Sequence, residues 1–381
     1  MVHPDSRDMP VSDAHDATTQ VLPAKYLRKS GILQHTGDYV RPFGRRCIVS
    51  GGRRALAVAG DALCESLDAS GVRVGVHLFE GQCCQENIDT IVATCLDHNA
   101  EVVVGVGGGR SLDSAKAAAS ALRVPIICVP TVASTCSAAT PAVVLYDAEG
   151  RFDRGMTLPD APNLVMVDPQ LIADAPVEYF TPGILDALSK WYEMEPIYAH
   201  MTGTDLHTNG AMRLALLLRD TVHEKGVSAI EAVRRNTVTA DLLEMIDLCI
   251  YQTALIKCLS LSTLRIGVAH AVYNALTCVP AARSHMHGTI VGYGMALQLS
   301  ALESGDEALR PVLALFQELG SVPSLENLGV SPTREITDLL IERCMSDPGI
   351  GAMPQSITTA TLQYAIDHVE SLATRPETRA V

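Results

Sequence analysis

The segment EVVVGVGGGRSLDSAKAAASAL, Glu101 to Leu122, constrains the fold more than any other. Its apolar run reads as a strand buried on both faces, and it passes through Gly107, Gly108 and Gly109 into an alanine-rich run that reads as a helix from Ser111. Glycines at such a junction let a ligand approach the main chain, and the first free N–H groups of the next helix favour a phosphate. The competing reading is a tight turn with no ligand. GVGGGRSLDSAK has neither the G-x-G-x-x-G spacing of an ordinary dinucleotide fingerprint nor the G-K-[ST] ending of a P-loop. Two neighbours favour the ligand: Asp113 and Lys116 at the start of the helix, and a second polar loop, VPTVASTCSAATP, after the next strand. In an open α/β sheet both loops face one crevice.

The alternation continues on either side. RRCIVSGG, VRVGVHLFEG, VPIICVPT and NLVMVDP read as further strands, with helices over Arg53–Ala69 and Gln85–His98 between them. Such βαβ order favours a parallel sheet covered on both faces. Past about Ala175 the strand signals fade, and TNGAMRLALLLRDTVHEKG and NTVTADLLEMIDLCIYQTALIKCLSLSTL read as long helices. The expected organisation is a flexible N-terminus over 1–22, an α/β dinucleotide-binding domain over 23–175 and an all-helical metal- and substrate-binding domain over 176–381. The active site is expected in the cleft between the last two. A chain of 381 residues is long enough for two cores.

Charge and composition narrow the partners. A net charge of −14 argues against a nucleic-acid surface, and no apolar run reaches the roughly 18 residues of a membrane span. The first residues are polar and lack the apolar core of a signal peptide, which predicts a cytoplasmic protein. The 11 cysteines include no C-x-x-C pair, so reduced thiols are expected rather than a zinc ribbon or a dithiol centre. Small molecules remain as partners.

Three residues of the helical half sit badly in a plain core. Asp186 lies in PGILDALSKWYE, His270 in RIGVAHAVYNAL, and His287 in the HMHGTIVGYG loop, each among apolar or small neighbours. Each histidine alone could be an ordinary hydrogen-bonded one, and His285 stands beside His287 as a rival. A buried carboxylate needs a partner, however. One carboxylate and two imidazoles make three ligands with a fourth position open, the arrangement of a catalytic metal site. The set suits Zn, Fe and Mn alike.

GGGRSLDSAK, PTVAST, NLVMVDPQLIADAP, ILDALSKWYE, AHAVYNALT and HGTIVGYG occur in that order, and on them the chain resembles the metal-dependent, iron-containing alcohol dehydrogenases, in the glycerol dehydrogenase branch. These share a fold with dehydroquinate synthase. The resemblance implies NAD or NADP, one divalent metal and a homo-oligomer. It places Gly107, Gly108, Gly109, Arg110, Ser111 and Asp113 around the dinucleotide pyrophosphate, and Thr131, Ser134, Thr140 and Tyr146 along the cofactor. Gly52, at the end of the first strand of this domain, joins them. Asp186, His270 and His287 fall on the metal-ligand positions. Hydride transfer is then the expected chemistry, with a metal-bound water or Tyr273 handling the proton.

The departures bear on the substrate. The aspartate that glycerol dehydrogenases carry in the second loop is here Cys136, and a histidine three residues after the first histidine ligand is here Tyr273. PTVASTCSAATP and LSKWYE look more like the hydroxycarboxylate dehydrogenases of the branch, which reduce 2-oxo acids. Arg265, five residues before His270 and expected on the same helix, is the candidate carboxylate ligand. Arg53 and Arg54 follow a strand end that lacks an acidic residue, which predicts that NADPH is tolerated and preferred. A polyol dehydrogenase, a dehydroquinate-synthase-like cyclase or lyase, and a non-catalytic nucleotide-binding protein are the alternatives.

Overall fold

The computed structural model of the chain describes residues 22–260, 264, 266–302, 305–354 and 356–373. Most of the N-terminal segment expected to be flexible lies outside them. In chain order the first half contains β1 (Tyr26–Arg28), α1 (Thr36–Val40), β2 (Arg46–Gly52), α2 (Arg53–Ala69), β3 (Arg73–Phe79), α3 (Gln85–His98), β4 (Val102–Gly107), α4 (Gly109–Leu122), β5 (Ile126–Pro130), β6 (Ala142–Tyr146), β7 (Phe152–Thr157) and β8 (Leu164–Val167). The remainder is helical: α5 (Pro169–Ala173), α6 (Thr181–Tyr198), α7 (Leu206–Arg234), α8 (Ala240–Asp247), α9 (Thr253–Leu259), α10 (Val268–Leu276), α11 (His287–Ala301), α12 (Gly305–Glu318), α13 (Arg334–Met345) and α14 (Thr359–Ala373).

Six strands form one parallel sheet in the order β1-β8-β5-β4-β2-β3. The continuous apolar runs of β4, β5 and β8 are buried along their whole length, as a sheet covered on both faces requires. Strand alternation sorts the two layers: Ile48 and Val103 pack with Ile88, Ile91 and Leu112 of α3 and α4, while Cys47, Val49, Val104 and Ile127 pack with Ala59, Leu63 and Leu67 of α2. Helices α3 and α4 end on left-handed Asn99 and Arg123, a C-terminal stop that turns the chain back toward the sheet.

Three features depart from the sequence reading. The antiparallel hairpin β6–β7 stands outside the main sheet and was not anticipated. The run expected to form one helix to Leu264 ends at Leu259, and a π-helical segment, Leu248–Gln252, separates α8 from α9. Helix α10 begins only at Val268, so position 265 does not share a helix with His270; Arg265 itself lies outside the described residues.

Helices α6 and α11 form the centre of the helical half, and glycines let their backbones close in. A Cβ on Gly183, in the first turn of α6, would lie 1.9 Å from the carbonyl oxygen of Ala133 in the second polar loop. One on Gly288, at the start of α11, would lie 1.8 Å from the carbonyl oxygen of Pro182. The helical half therefore meets the sheet half backbone to backbone at this corner. At another edge Tyr26 and Arg28 of β1 donate to Asp247 of α8, at 2.8 Å each to Oδ1. Among the described residues no helix is long and apolar enough to cross a membrane.

Candidate active site

The site begins with the period of α6. Asp186, Lys190 and Glu193, at i, i+4 and i+7, share one face of this buried helix. They meet His270, in the first turn of α10, and His287, the first residue of α11 rather than a loop residue as expected. Asp186 Oδ1 lies 3.5 Å from His270 Nε2 and 3.5 Å from His287 Nε2. One donor atom from each of the three falls within 4.8 Å of the others, a spacing that fits a shared cation. His285, the rival, lines the same cavity but stands outside this cluster.

Glu193 sets the orientation of His270. Its Oε1 accepts the backbone N–H groups of Gly267 and His270 at 2.8 and 2.9 Å, and its Oε2 lies 2.6 Å from His270 Nδ1. A carboxylate can only accept, so the proton belongs on Nδ1 and the lone pair of Nε2 turns toward Asp186. Gly267 must lack a side chain here, since a Cβ would stand 3.1 to 3.2 Å from the stem of Glu193 and 2.8 Å from Gln298 Oε1. Burial pushes the Glu193 carboxyl up, but His270 and Lys190 outweigh it and hold it below its ordinary value.

Lys190 was not singled out in the sequence. Its Nζ lies 3.3 Å from Asp186 Oδ1 and 3.3 Å from His270 Nε2, inside the donor cluster. Burial opposes the charge of Asp186, yet the Lys190 ammonium and the two imidazoles hold its carboxyl well below the usual range. The imidazoles move in opposite directions. Burial lowers both, but Glu193 and Asp186 raise His270 above its ordinary value, whereas for His287 burial prevails and its value is lowered.

The opposite wall is the glycine turn. Gly107 ends β4 at φ +130°, a conformation that favours glycine, and Gly108 caps α4 without a side-chain bond to its first N–H groups. Gly109 and Arg110, which open the helix two residues earlier than expected, line the cavity, as do Ser134, Thr140 and Tyr146. Ser111 instead donates to the carbonyl of Val106 at 2.9 Å, and Thr131 is buried at the end of β5 with its N–H on Gly107. Gly52 caps α2 at the C-terminal end of β2, next to the exposed pair Arg53–Glu80.

The carboxylate of Asp113 is engaged inside the protein. It pairs with the buried Lys116 ammonium at 2.9 Å and accepts from Ser137 Oγ at 2.5 Å and from the N–H of Val144 at 3.0 Å. Lys116 in turn donates to the carbonyls of Ser137, Thr140 and Ala142. This pair braces the second loop, and its charges are internally matched.

Between the walls lies a cavity of about 440 Å³ that includes Cys136 and Tyr273. The Tyr273 and Tyr146 hydroxyls are 2.7 Å apart, and the Tyr273 ring stands edge-on to His287 with centroids 4.2 Å apart. Burial raises both phenols, so each is a hydrogen-bonding group rather than a proton donor near neutrality. Burial likewise raises the Cys136 thiol and keeps it neutral.

A glycine turn at a helix start thus faces a converging carboxylate and two imidazoles across one cavity. Comparison with known proteins gives the family. Residues 23–169 match the model of the iron-containing alcohol dehydrogenase family. The chain is 31% identical over 353 residues to a glycerol dehydrogenase of Pseudomonas putida, covering 90% of this chain and 94% of the relative. It is also 31% identical over 355 residues to hydroxycarboxylate dehydrogenase A of Escherichia coli K12, covering 92% and 97%. A solved structure described as a probable glycerol dehydrogenase from Sinorhizobium meliloti 1021 matches with a TM-score of 0.82 at 26% identity, covering 94% of this chain and 99% of that one. The chain belongs to the iron-containing alcohol dehydrogenase family, whose members are NAD(P)- and metal-dependent enzymes that interconvert alcohols and carbonyls.

Proposed function

We propose that the protein reduces small 2-oxo acids to 2-hydroxy acids, with NADPH as the favoured reductant. In this reading Asp186, His270 and His287 hold one divalent metal, and the turn from Gly107 to Gly109 receives the pyrophosphate. The observation that carries the substrate class is the charge of the cavity wall. Among the described residues its lining carboxylates are Asp113, matched by Lys116, and Asp186, assigned to the metal, whereas Arg110, Lys190, Lys257 and Arg283 bring positive charge. An anion entering there meets no free carboxylate, and Cys136 presents a neutral thiol.

A bound divalent ion supplies Lewis acidity toward a carbonyl oxygen, and the nicotinamide supplies hydride. The chain's own residues position and insulate. Glu193 keeps the Nε2 lone pair of His270 available, and the tyrosine pair closes one side of the cavity. The Asp113–Lys116 brace fixes the loop that carries Cys136.

The glycerol dehydrogenases among the relatives favour a second reading, oxidation of a polyol. Steady-state turnover with a panel of 2-oxo acids, hydroxyaldehydes and polyols separates the two. The expected result is a higher kcat/KM for 2-oxo acids than for neutral carbonyls; polyols outcompeting acids would defeat the substrate assignment.

A further inference from the structure

We infer that Lys257 is the anchor for the substrate carboxylate and so sets specificity for acids; this rests on the 2-oxo acid reading. The cavity offers four lining cations; two are bonded within the protein and a third stands on the cofactor side. Lys190 is held between Asp186 and His270. Arg283 donates to the carbonyls of Thr277 and Glu149, at 2.7 Å to Thr277. Arg110 lies in the first turn of α4, beside the glycine cradle. Lys257, in the last turn of α9, lines the cavity together with Ile256 and Ser260, and its ammonium has no ion pair or hydrogen bond among the described residues.

Its position along the cavity fits the substrate. The Cys136 thiol feels the charges of Lys257, Asp186 and Lys190, with Lys257 the strongest of the three. Cys136, Lys257, Asp186, His270 and His287 all line the one cavity. A 2-oxo acid carries its carboxylate one bond from the carbonyl carbon. With its carbonyl directed to the cluster, that carboxylate remains inside the same cavity, where the flexible four-carbon stem of Lys257 can bring its ammonium to it. A partly exposed lysine side chain can hold such a charge while its stem covers apolar surface.

The test compares wild type with Lys257→Met and Lys257→Arg, using pyruvate, glycolaldehyde and the unreactive pyruvate isostere oxamate. Losing a charge-assisted hydrogen bond should raise the Kd for oxamate about 10- to 100-fold in Lys257→Met and lower the pyruvate-to-glycolaldehyde ratio of kcat/KM by a similar factor. Lys257→Arg should recover most of both, and NADPH binding reports that the variants are folded. If the methionine variant does not fold, Lys257→Gln carries the same comparison. Oxamate affinity within twofold of wild type, in an enzyme that prefers pyruvate, would overturn the Lys257 assignment and leave the acid reading standing. A wild type that neither binds oxamate nor prefers pyruvate would overturn both.

Discussion

Replacing Glu193 with glutamine tests the proposed metal centre through a residue that touches no metal. Glu193 accepts three hydrogen bonds, two from backbone N–H groups at Oε1 and one from His270 Nδ1 at Oε2. Glutamine has one acceptor oxygen where two are needed. With the amide oxygen on the backbone, its NH2 faces Nδ1, drives the imidazole proton to Nε2 and removes the lone pair aimed at Asp186. With the amide reversed, NH2 opposes two N–H donors. A carboxylate that holds the far nitrogen of a metal-ligating histidine is worth about 10- to 100-fold in metal affinity, which is about 1.4 to 2.7 kcal/mol. Metal-depleted protein titrated with Zn²⁺ against a chelator of known affinity reads the loss directly, whatever the substrate. Thermal unfolding of the metal-free variant separates fold damage from lost binding. Wild-type Zn²⁺ affinity in a folded Glu193→Gln variant would refute both the tautomer and the ligand role of His270 Nε2.

Further outcomes follow from the same geometry. Lys190→Met should destabilise the metal-free protein by about 3 kcal/mol, because the buried Asp186 loses its partner, and should tighten Zn²⁺ binding, because an ammonium leaves the cluster; melting curves with and without Zn²⁺ measure both. The carboxyls of Asp186 and Glu193 are depressed in the folded state, so their stabilisation is present above the unfolded values of about 4 and is lost as pH falls through the folded ones. Urea midpoints of metal-free protein should therefore drop below about pH 4, and less steeply in Asp186→Asn. His270 is raised instead, so protons should compete with metal already above its unperturbed value of about 6.5, and Zn²⁺ affinity should fall as pH drops through that range. Arg53→Gln should lower the ratio of kcat/KM for NADPH over NADH; an unchanged ratio would show that Arg53 serves only its pair with Glu80.

The sheet half was largely legible because its signals are local. Apolar runs bounded by glycine, proline and asparagine gave the strands, and α2 and α3 carry the boundaries expected of them. The β6–β7 hairpin escaped because β7, FDRGMT, is mostly exposed and has no apolar run to mark it. A π-helical turn shifts the chain without changing residue type, so nothing in the composition of 236–264 betrayed it. Asp186, His270 and His287 stood out as polar residues among apolar ones, and the fold does bring them together. Lys190 and Glu193 carried an equally plain signal, the helical spacing from Asp186, but weighing residues one at a time against their neighbours does not reveal a shared face. The expected helix from 265 to 270 failed because Gly267 supplies the cap that starts α10.

The absent side chains of Gly183 and Gly288 also bear on how a ligand gets in. Where backbone rests on backbone, no side chain can change rotamer to relieve a closer approach, so the Gly183–Ala133 corner has no slack for compression. The Asp247 contacts with β1 restrain a second point. The β6–β7 hairpin is bonded to the helical half as well, through Tyr146 and Tyr273, Phe152 and Thr277, and Glu149 and Arg283. Unlike the glycine corner, these contacts run through side chains, which can change rotamer, so this rim is the more yielding boundary of the cavity.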